Sequence, residues 1–278
     1  MNSFNFCKKV SVVVLALALT LSVTACGKTN QNSEKKNIKV GFLAGPYSDQ
    51  FKRAVQPILE KKGYKVEIVE FSNAVQPNSS LTDGSIDANV FQHIGYLKGI
   101  NEKDKSDIVE LIKVPTAPLG IYSNKFKKLS ELKEGAQVSL SSDASNLARS
   151  LVLLQQAGLI KIKPDIDPLK ATEKDITENP KKIKIVPLDA PQLPRSLADV
   201  DYSIITGNHV IAAGMKLSDS LLLEDPPAIY QIILAVRGAD KDKPFAKDLA
   251  EAYKSKEFRT FVENDEKAKG FSKPDYWK

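Results

Sequence analysis

Hydrophobic positions in this chain fall into three regimes. Residues 10–25 form a single apolar run of Val, Leu and Ala, diluted by Ser11, Thr20, Ser22 and Thr24. Residues 28–36 are polar, with too few apolar groups to fold, and read as a flexible tether. From residue 38 onward, short apolar runs alternate with stretches of helical spacing. The runs at 38–43, 65–71, 88–91 and 108–114 predict strands. Gly45 and Pro46 break the first of these, and Ser48 is placed to cap a helix running to about Lys62. Phe51, Ala54, Val55, Ile58 and Leu59 give that helix a buried stripe; Pro57 should bend it and Gly63 end it. Asp83-Gly84 marks a turn. Residues 115–122 carry two prolines and predict an extended segment that is not an internal strand.

A second unit follows. Residues 137–141 predict a strand, and Ser145 caps a helix with Leu147, Leu151 and Leu154 on one face and Gly158 at its end. Further strands are expected at 183–186 and 202–205. Asp225-Pro226-Pro227 breaks the chain before an apolar run at 230–236, and two helices, 244–254 and about 256–263, close it. Alternating β and α elements argue for parallel sheets covered by helices. The expected fold class is α/β, a two-lobed clamshell of the periplasmic-binding-protein kind joined by two crossover segments. Lobe 1 comprises 37–117 plus 232–278, and lobe 2 comprises 118–231.

The N-terminal pattern changes where this fold is expected to reside. Lys8 and Lys9 precede the apolar run, and at sixteen residues that run is shorter than the ~20 needed to cross a bilayer. It ends in Val23-Thr24-Ala25-Cys26-Gly27, small residues leading into a cysteine, as at a secretory cleavage site. The specific bacterial reading is a lipoprotein signal over 1–25, with Cys26 lipidated and 26–36 as the tether. The competing reading is an uncleaved helical anchor with an incidental cysteine. Expected localisation is the extracytoplasmic face of the cell membrane. The other cysteine, Cys7, leaves with the signal, so no internal disulfide is possible and core burial must hold the domain.

Charge narrows the function classes. The net charge is +6 for the whole chain, and removing the signal deletes two lysines and no acid. The lysines are scattered among acids and form no basic stripe with interleaved aromatics, which argues against a nucleic-acid partner. Cationic recognition is better sought at the five arginines, Arg53, Arg149, Arg195, Arg237 and Arg259. The two histidines, His93 and His209, lie in neither a Gly-x-Ser-x-Gly nor a His-Glu-x-x-His context, so no enzyme is indicated. They also make a weak metal set, and no cofactor is expected. No sequence feature speaks for a surface interaction protein or adhesin, which stays as an alternative of another class.

Four stretches carry a resemblance. They are residues 40–46 (VGFLAGP), 83–93 (DGSIDANVFQH), 146–151 (NLARSL) and 190–195 (APQLPR). Together they closely resemble the NlpA family, the methionine-binding lipoproteins that feed ABC importers. The resemblance spans the mature chain and implies the clamshell fold, with an amino acid captured between the lobes and delivered to a permease and its ATPase. It implies that Phe91, His93 and Tyr96 line a side-chain pocket, where aromatic rings suit a thioether. Arg149, expected in the first turn of the Ser145 helix, can grip a carboxylate with its planar fork. Thr206 and Asn208 complete the implied ligand set.

Departures from the family pattern matter as much. Ala74 stands where the methionine binders usually carry a tyrosine, Thr206 where they place an asparagine, and Ile232 where a second asparagine is typical. The first loss enlarges the pocket. The other two remove polar partners, each worth roughly 1–3 kcal/mol when a buried group is left unpaired. The resemblance therefore implies methionine or a related amino acid, with a short methionine-containing peptide as the alternative ligand.

Overall fold

The protein is seen in a computed structural model that describes residues 35–277; the expected signal, Cys26 and most of the expected tether lie outside the described residues. In chain order the first strands are β1 (Asn37–Leu43), β2 (Lys65–Phe71), β3 (Ala88–His93) and β4 (Ile108–Lys113). They are followed by β5 (Gly120–Tyr122), β6 (Gln137–Ser141), β7 (Lys161–Ile162) and β8 (Ile176–Glu178). The chain finishes with β9 (Lys184–Leu188), β10 (Tyr202–Ile205), β11 (Leu222–Leu223) and β12 (Ile232–Arg237). Two five-stranded sheets result, ordered β2-β1-β3-β12-β4 and β11-β5-β10-β6-β9, beside the small pair β7-β8. The α/β class read from the sequence is the one observed.

The sheets are mixed rather than purely parallel. β12 runs antiparallel to both neighbours, β3 and β4, because the chain re-enters the first sheet from the second. Both β3 and β12 are buried along their length, as central strands covered on two faces must be. In the second sheet β5 lies between β11 and β10 and is antiparallel to each. The prolines of 115–122 had argued against an internal strand there. They precede the three paired residues, so no ladder bond is lost. Pro187 falls in β9, an edge strand, where a missing N–H costs nothing.

Local chemistry explains the helix ends. The first helical run is continuous but composite: Pro46–Gln50, a π-helical turn Phe51–Val55, then Gln56–Lys61. Pro57 cannot donate to the carbonyl four residues back, and just ahead of it the Gln56 N–H bonds Phe51 O, five back. The disruption expected at Pro57 is thus absorbed by a π-helical turn within a continuous helical run. Ser48 does not cap the run; Gly45 holds that position at φ +143, and the Ser48 hydroxyl contacts Glu70 of β2. Nor does Ser145 cap the Ala144–Gln156 helix. Asp143 does, its carboxylate accepting from the Asn146 N–H at 3.0 Å.

One core joins the β1 side of the first sheet to the C-terminal helices Pro244–Lys254 and Lys256–Asn264 through Phe42, Phe51, Tyr253 and Phe258. It continues into Leu193, Ile205 and Val210 of the second sheet's surroundings. The Ala144–Gln156 helix builds a second core with Leu140, Leu151, Leu154 and Ile204. Lys35 and Lys36, assigned to the tether, already contact the fold: Lys35 pairs with buried Asp87, and Lys36 O accepts from Lys65 N at 2.7 Å.

Segments that pass between the sheets are held by specific hydrogen bonds. The Ala117 N–H donates to Tyr47 Oη at 3.1 Å, and Ile232 N to Thr116 Oγ1 at 2.8 Å. Gly207, which opens the Gly207–Ala212 helix, lies so close that an added Cβ would stand 2.6 Å from Ala117 Cβ and 2.7 Å from Pro118 O. Gly207→Ala is therefore expected to destabilise the protein by about 1–3 kcal/mol through backbone displacement. Equilibrium urea unfolding measures it, and a midpoint equal to that of the parent protein would show that the segment yields freely.

Candidate functional site

The strands of both sheets bring their ends to one small cavity, of about 60 Å³. β1 ends at Leu43 and β3 at His93, and these residues form part of one wall. Thr206, just past β10, and Asp143, just past β6, face them. All six residues singled out from the sequence line this cavity: Phe91, His93, Tyr96, Arg149, Thr206 and Asn208. Ala74 and Ile232, the two other departures, line it as well. Ala74 does not leave an open pocket. Its carbonyl takes the Tyr96 hydroxyl at 3.2 Å, and the cavity stays far below the ~300–1,000 Å³ of most ligand clefts.

His93 illustrates how the fold prepares the site. It ends β3 and caps the Ile94–Asp104 helix, where Nδ1 accepts the Tyr96 N–H at 3.0 Å. That bond fixes the tautomer, so Nε2 carries the proton and donates to Asn146 Oδ1 at 3.3 Å. Asn146 belongs to the helix behind β6, so this bond joins the surroundings of the two sheets. Burial, helped by the nearby Arg149 charge, pulls the His93 pKa down to about 3, and the ring is neutral at pH 7. His209 is likewise lowered by burial, to about 4, against an opposing pull from Asp143. Tyr96 meets Phe91 and His93 edge-on, at 6.0 and 6.4 Å between ring centres.

Arg149 differs from its expected setting in two ways. With the helix starting at Ala144, it occupies the second turn, too far from the helix N-terminus to share the exposed N–H groups there. It is also already paired. Its Nε donates to Glu224 Oε1 at 2.9 Å, Nη2 bonds Glu224 Oε2, and its guanidinium lies 4.7 Å from the Tyr230 ring centre. Both partners of the pair are buried, Arg149 at 3 % and Glu224 at 8 % exposure. The arginine still lines the cavity, with its remaining N–H groups as donors.

The motif around β3 divides its labour. Asp87 takes the Lys39 N–H at 2.9 Å, while Asn89 and Gln92 bond Asn78 in a buried amide cluster. Those residues hold the strand in place; Phe91 and His93 line the cavity, and Gln92 borders it as well. Sequence reasoning missed Tyr47, Asp143, Asn146 and His209, which also line it. Asn146 stood inside a quoted motif and His209 was noticed as a histidine. Nothing in the spacing marked Tyr47 or Asp143.

Comparison with known proteins identifies this arrangement. A sequence profile of the NlpA lipoprotein family matches residues 38–275. The chain belongs to the NlpA lipoprotein family. The D-methionine-binding lipoprotein MetQ of Salmonella typhi is 39 % identical over 258 residues, spanning 92 % of this chain and 93 % of that protein. A methionine-bound nutrient-binding protein from Burkholderia cenocepacia superposes with a TM-score of 0.80 at 43 % identity. It covers 84 % of this chain and 97 % of its own. An ABC transporter periplasmic substrate-binding protein from Coxiella burnetii gives 0.77 at 44 % identity, covering 81 % and 95 %. These family members are named for binding, not for a reaction. Among the described residues no helix is long and apolar enough to cross a membrane.

The neutral, buried His93 makes a testable contribution to acid stability. Its ring titrates near 6.5 when unfolded and near 3 when folded, so between those values the unfolded chain binds the extra proton. Its stabilising effect is full above pH 6.5 and declines as pH falls toward 3, by up to about 1.4 kcal/mol per pH unit. Melting curves from pH 7 to pH 4 should therefore fall more steeply for the parent protein than for His93→Gln. Parallel pH dependences would show that the ring is not held neutral.

Proposed function

We propose that this chain is the lipid-anchored, extracytoplasmic solute-binding component of an ABC importer, holding methionine or a related amino acid in the cavity between the sheets. The observation that carries this reading is the convergence of complementary chemistry on one cavity. Arg149 offers N–H donors for a carboxylate. Asp143, Thr206 and Asn208 offer acceptors for an ammonium group, and Phe91, Tyr96 and His93 form an aromatic wall suited to a thioether. The methionine-binding name of the Salmonella relative and the methionine bound to the Burkholderia protein support the ligand class. The Coxiella protein's description supports delivery to a permease and its ATPase.

Asp143 lessens the effect of the missing amides, because a carboxylate partners an ammonium ion more strongly than a neutral amide does. A short methionine-containing peptide remains the second reading. It is favoured by a neighbouring cavity of about 260 Å³ that shares Leu43 and His209 with the first, giving a longer ligand room to continue. In either case residues 37–117 with 232–278 act as one lobe and 118–231 as the other. They part about the segments near 115–122 and 228–236 to admit the ligand.

Titration calorimetry with both methionine enantiomers and methionine dipeptides tests the ligand. Arg149→Ala is expected to weaken binding of the preferred one by about 2–5 kcal/mol. Unchanged affinity would remove Arg149 from the site. Anchoring is tested separately: Cys26→Ala should release the protein from the membrane fraction. A variant that stays membrane-bound with unchanged processing would mean that an uncleaved helix holds it.

A further inference from the structure

Arg149 does not meet the cavity as a free cation. Glu224 occupies its Nε edge, with Nε at 2.9 and 3.1 Å from the two carboxylate oxygens and Nη2 bonded to Oε2. Of the five guanidinium N–H groups these contacts engage two, and no hydrogen bond involves Nη1 among the described residues. The guanidinium carbon lies over the Tyr230 ring, 4.7 Å from its centre. What remains to a ligand is the terminal Nη edge. Glu224 is itself held: Oε2 accepts the Leu119 N–H at 3.3 Å, and Glu224 N donates to Leu119 O at 2.8 Å. Leu119 lies on the first segment between the sheets and Tyr230 on the second.

We propose that Glu224 is a positioning residue for carboxylate recognition. By gripping the Nε edge of Arg149 and the Leu119 backbone together, it aims the terminal guanidinium edge into the cavity and couples a ligand's carboxylate to the segments between the sheets. The proposal rests on the reading of Arg149 as the ligand's carboxylate partner. It has a consequence for specificity. Glu224 compensates the Arg149 charge, so an anion gains little from net attraction and is recognised by the geometry of a pre-aimed fork. Asp143 is then the uncompensated charge on the cavity wall, since both histidines are neutral. Such a wall suits a zwitterion rather than a simple anion.

The test compares L-methionine with L-methioninamide, which keeps the side chain and amino group but lacks the carboxylate. In Glu224→Gln, L-methionine should bind roughly tenfold to a hundredfold more weakly, while methioninamide changes by less than about threefold. A purely structural role would weaken both probes alike. Glu224→Asp preserves the charge and withdraws it by one methylene. It should show the same selective loss, and it serves if the glutamine variant, leaving Arg149 buried without a counter-charge, does not fold. A ligand-free readout accompanies these. The Arg149 Nε–Hε resonance, assigned by its disappearance in Arg149→Lys, should exchange slowly with solvent in the parent protein and lose that protection in the folded Glu224 variant. Equal loss of both probes, methionine affinity within threefold of the parent's, or retained protection overturns the proposal. A parent protein that takes up neither probe removes the methionine reading instead, and the Nε–Hε protection then decides whether Glu224 holds the arginine.

Discussion

A buried ion pair with two further attachments is the constraint on which the centre of this molecule depends. Burying Arg149 and Glu224 costs several kcal/mol per ion in lost hydration, and attraction between them repays that only when geometry is good and the remaining polar groups are satisfied. Here the carboxylate also takes the Leu119 N–H, and the guanidinium lies against Tyr230. Arg149 comes from the helix behind β6, and Glu224 directly follows β11. The other two groups come from the segments that pass between the sheets. Removing either ion would leave the other uncompensated, and Leu119 and Tyr230 add to the pair's satisfaction, so these four stretches of chain are held together. The donors that Arg149 presents to the cavity are a by-product of that arrangement.

Around this centre the site is built by strand ends. Backbone pairing fixes where each strand stops, and the residue at or just beyond the stop is presented to the cavity. His93 at the end of β3, Asp143 beyond β6 and Thr206 beyond β10 all follow this logic. Each then has a structural duty: His93 and Asp143 cap helices through their side chains, and Thr206 stands at a helix start. Capping orients the polar atoms before any ligand arrives, which lowers the cost of ordering them on binding. His93 extends this further, since accepting the Tyr96 N–H obliges its other nitrogen to donate across the cavity to Asn146.

The small volume of the cavity and the closeness of its walls belong together. Asn146 meets His93, Gly207 crowds Ala117 and Pro118, and Tyr47 holds the Ala117 N–H. These contacts bring the walls of the cavity close together. A solute-binding protein needs such contacts to be weak enough to part and numerous enough to re-form, so that ligand shifts the balance by what it adds to the closed arrangement. Polar and glycine contacts of this kind part more readily than the apolar core that also runs from the first sheet to Leu193, Ile205 and Val210.

Much of this was legible in the chain itself. Apolar periodicity located strands such as β1, β2 and β6 and the C-terminal helices within a residue or two, because burial on one face imposes period 2 or 3.6 whatever the partner. The motifs around 83–93 and 146–151 marked Phe91, His93 and Arg149 as cavity residues. Periodicity does not encode direction, so the antiparallel course of β5 and β12 emerged only from strand pairing. Nor does it distinguish one short polar residue near a helix start from another. Ser48 and Ser145 looked adequate as caps, yet Gly45 and Asp143 hold those positions because the preceding strands end where they do. The pairing of Arg149 with Glu224, 75 residues on, and the approach of Tyr47, Asp143 and His209 to the same cavity were decided by tertiary structure alone. Contacts at such separations depend on how two sheets meet, and no local property of the sequence records that.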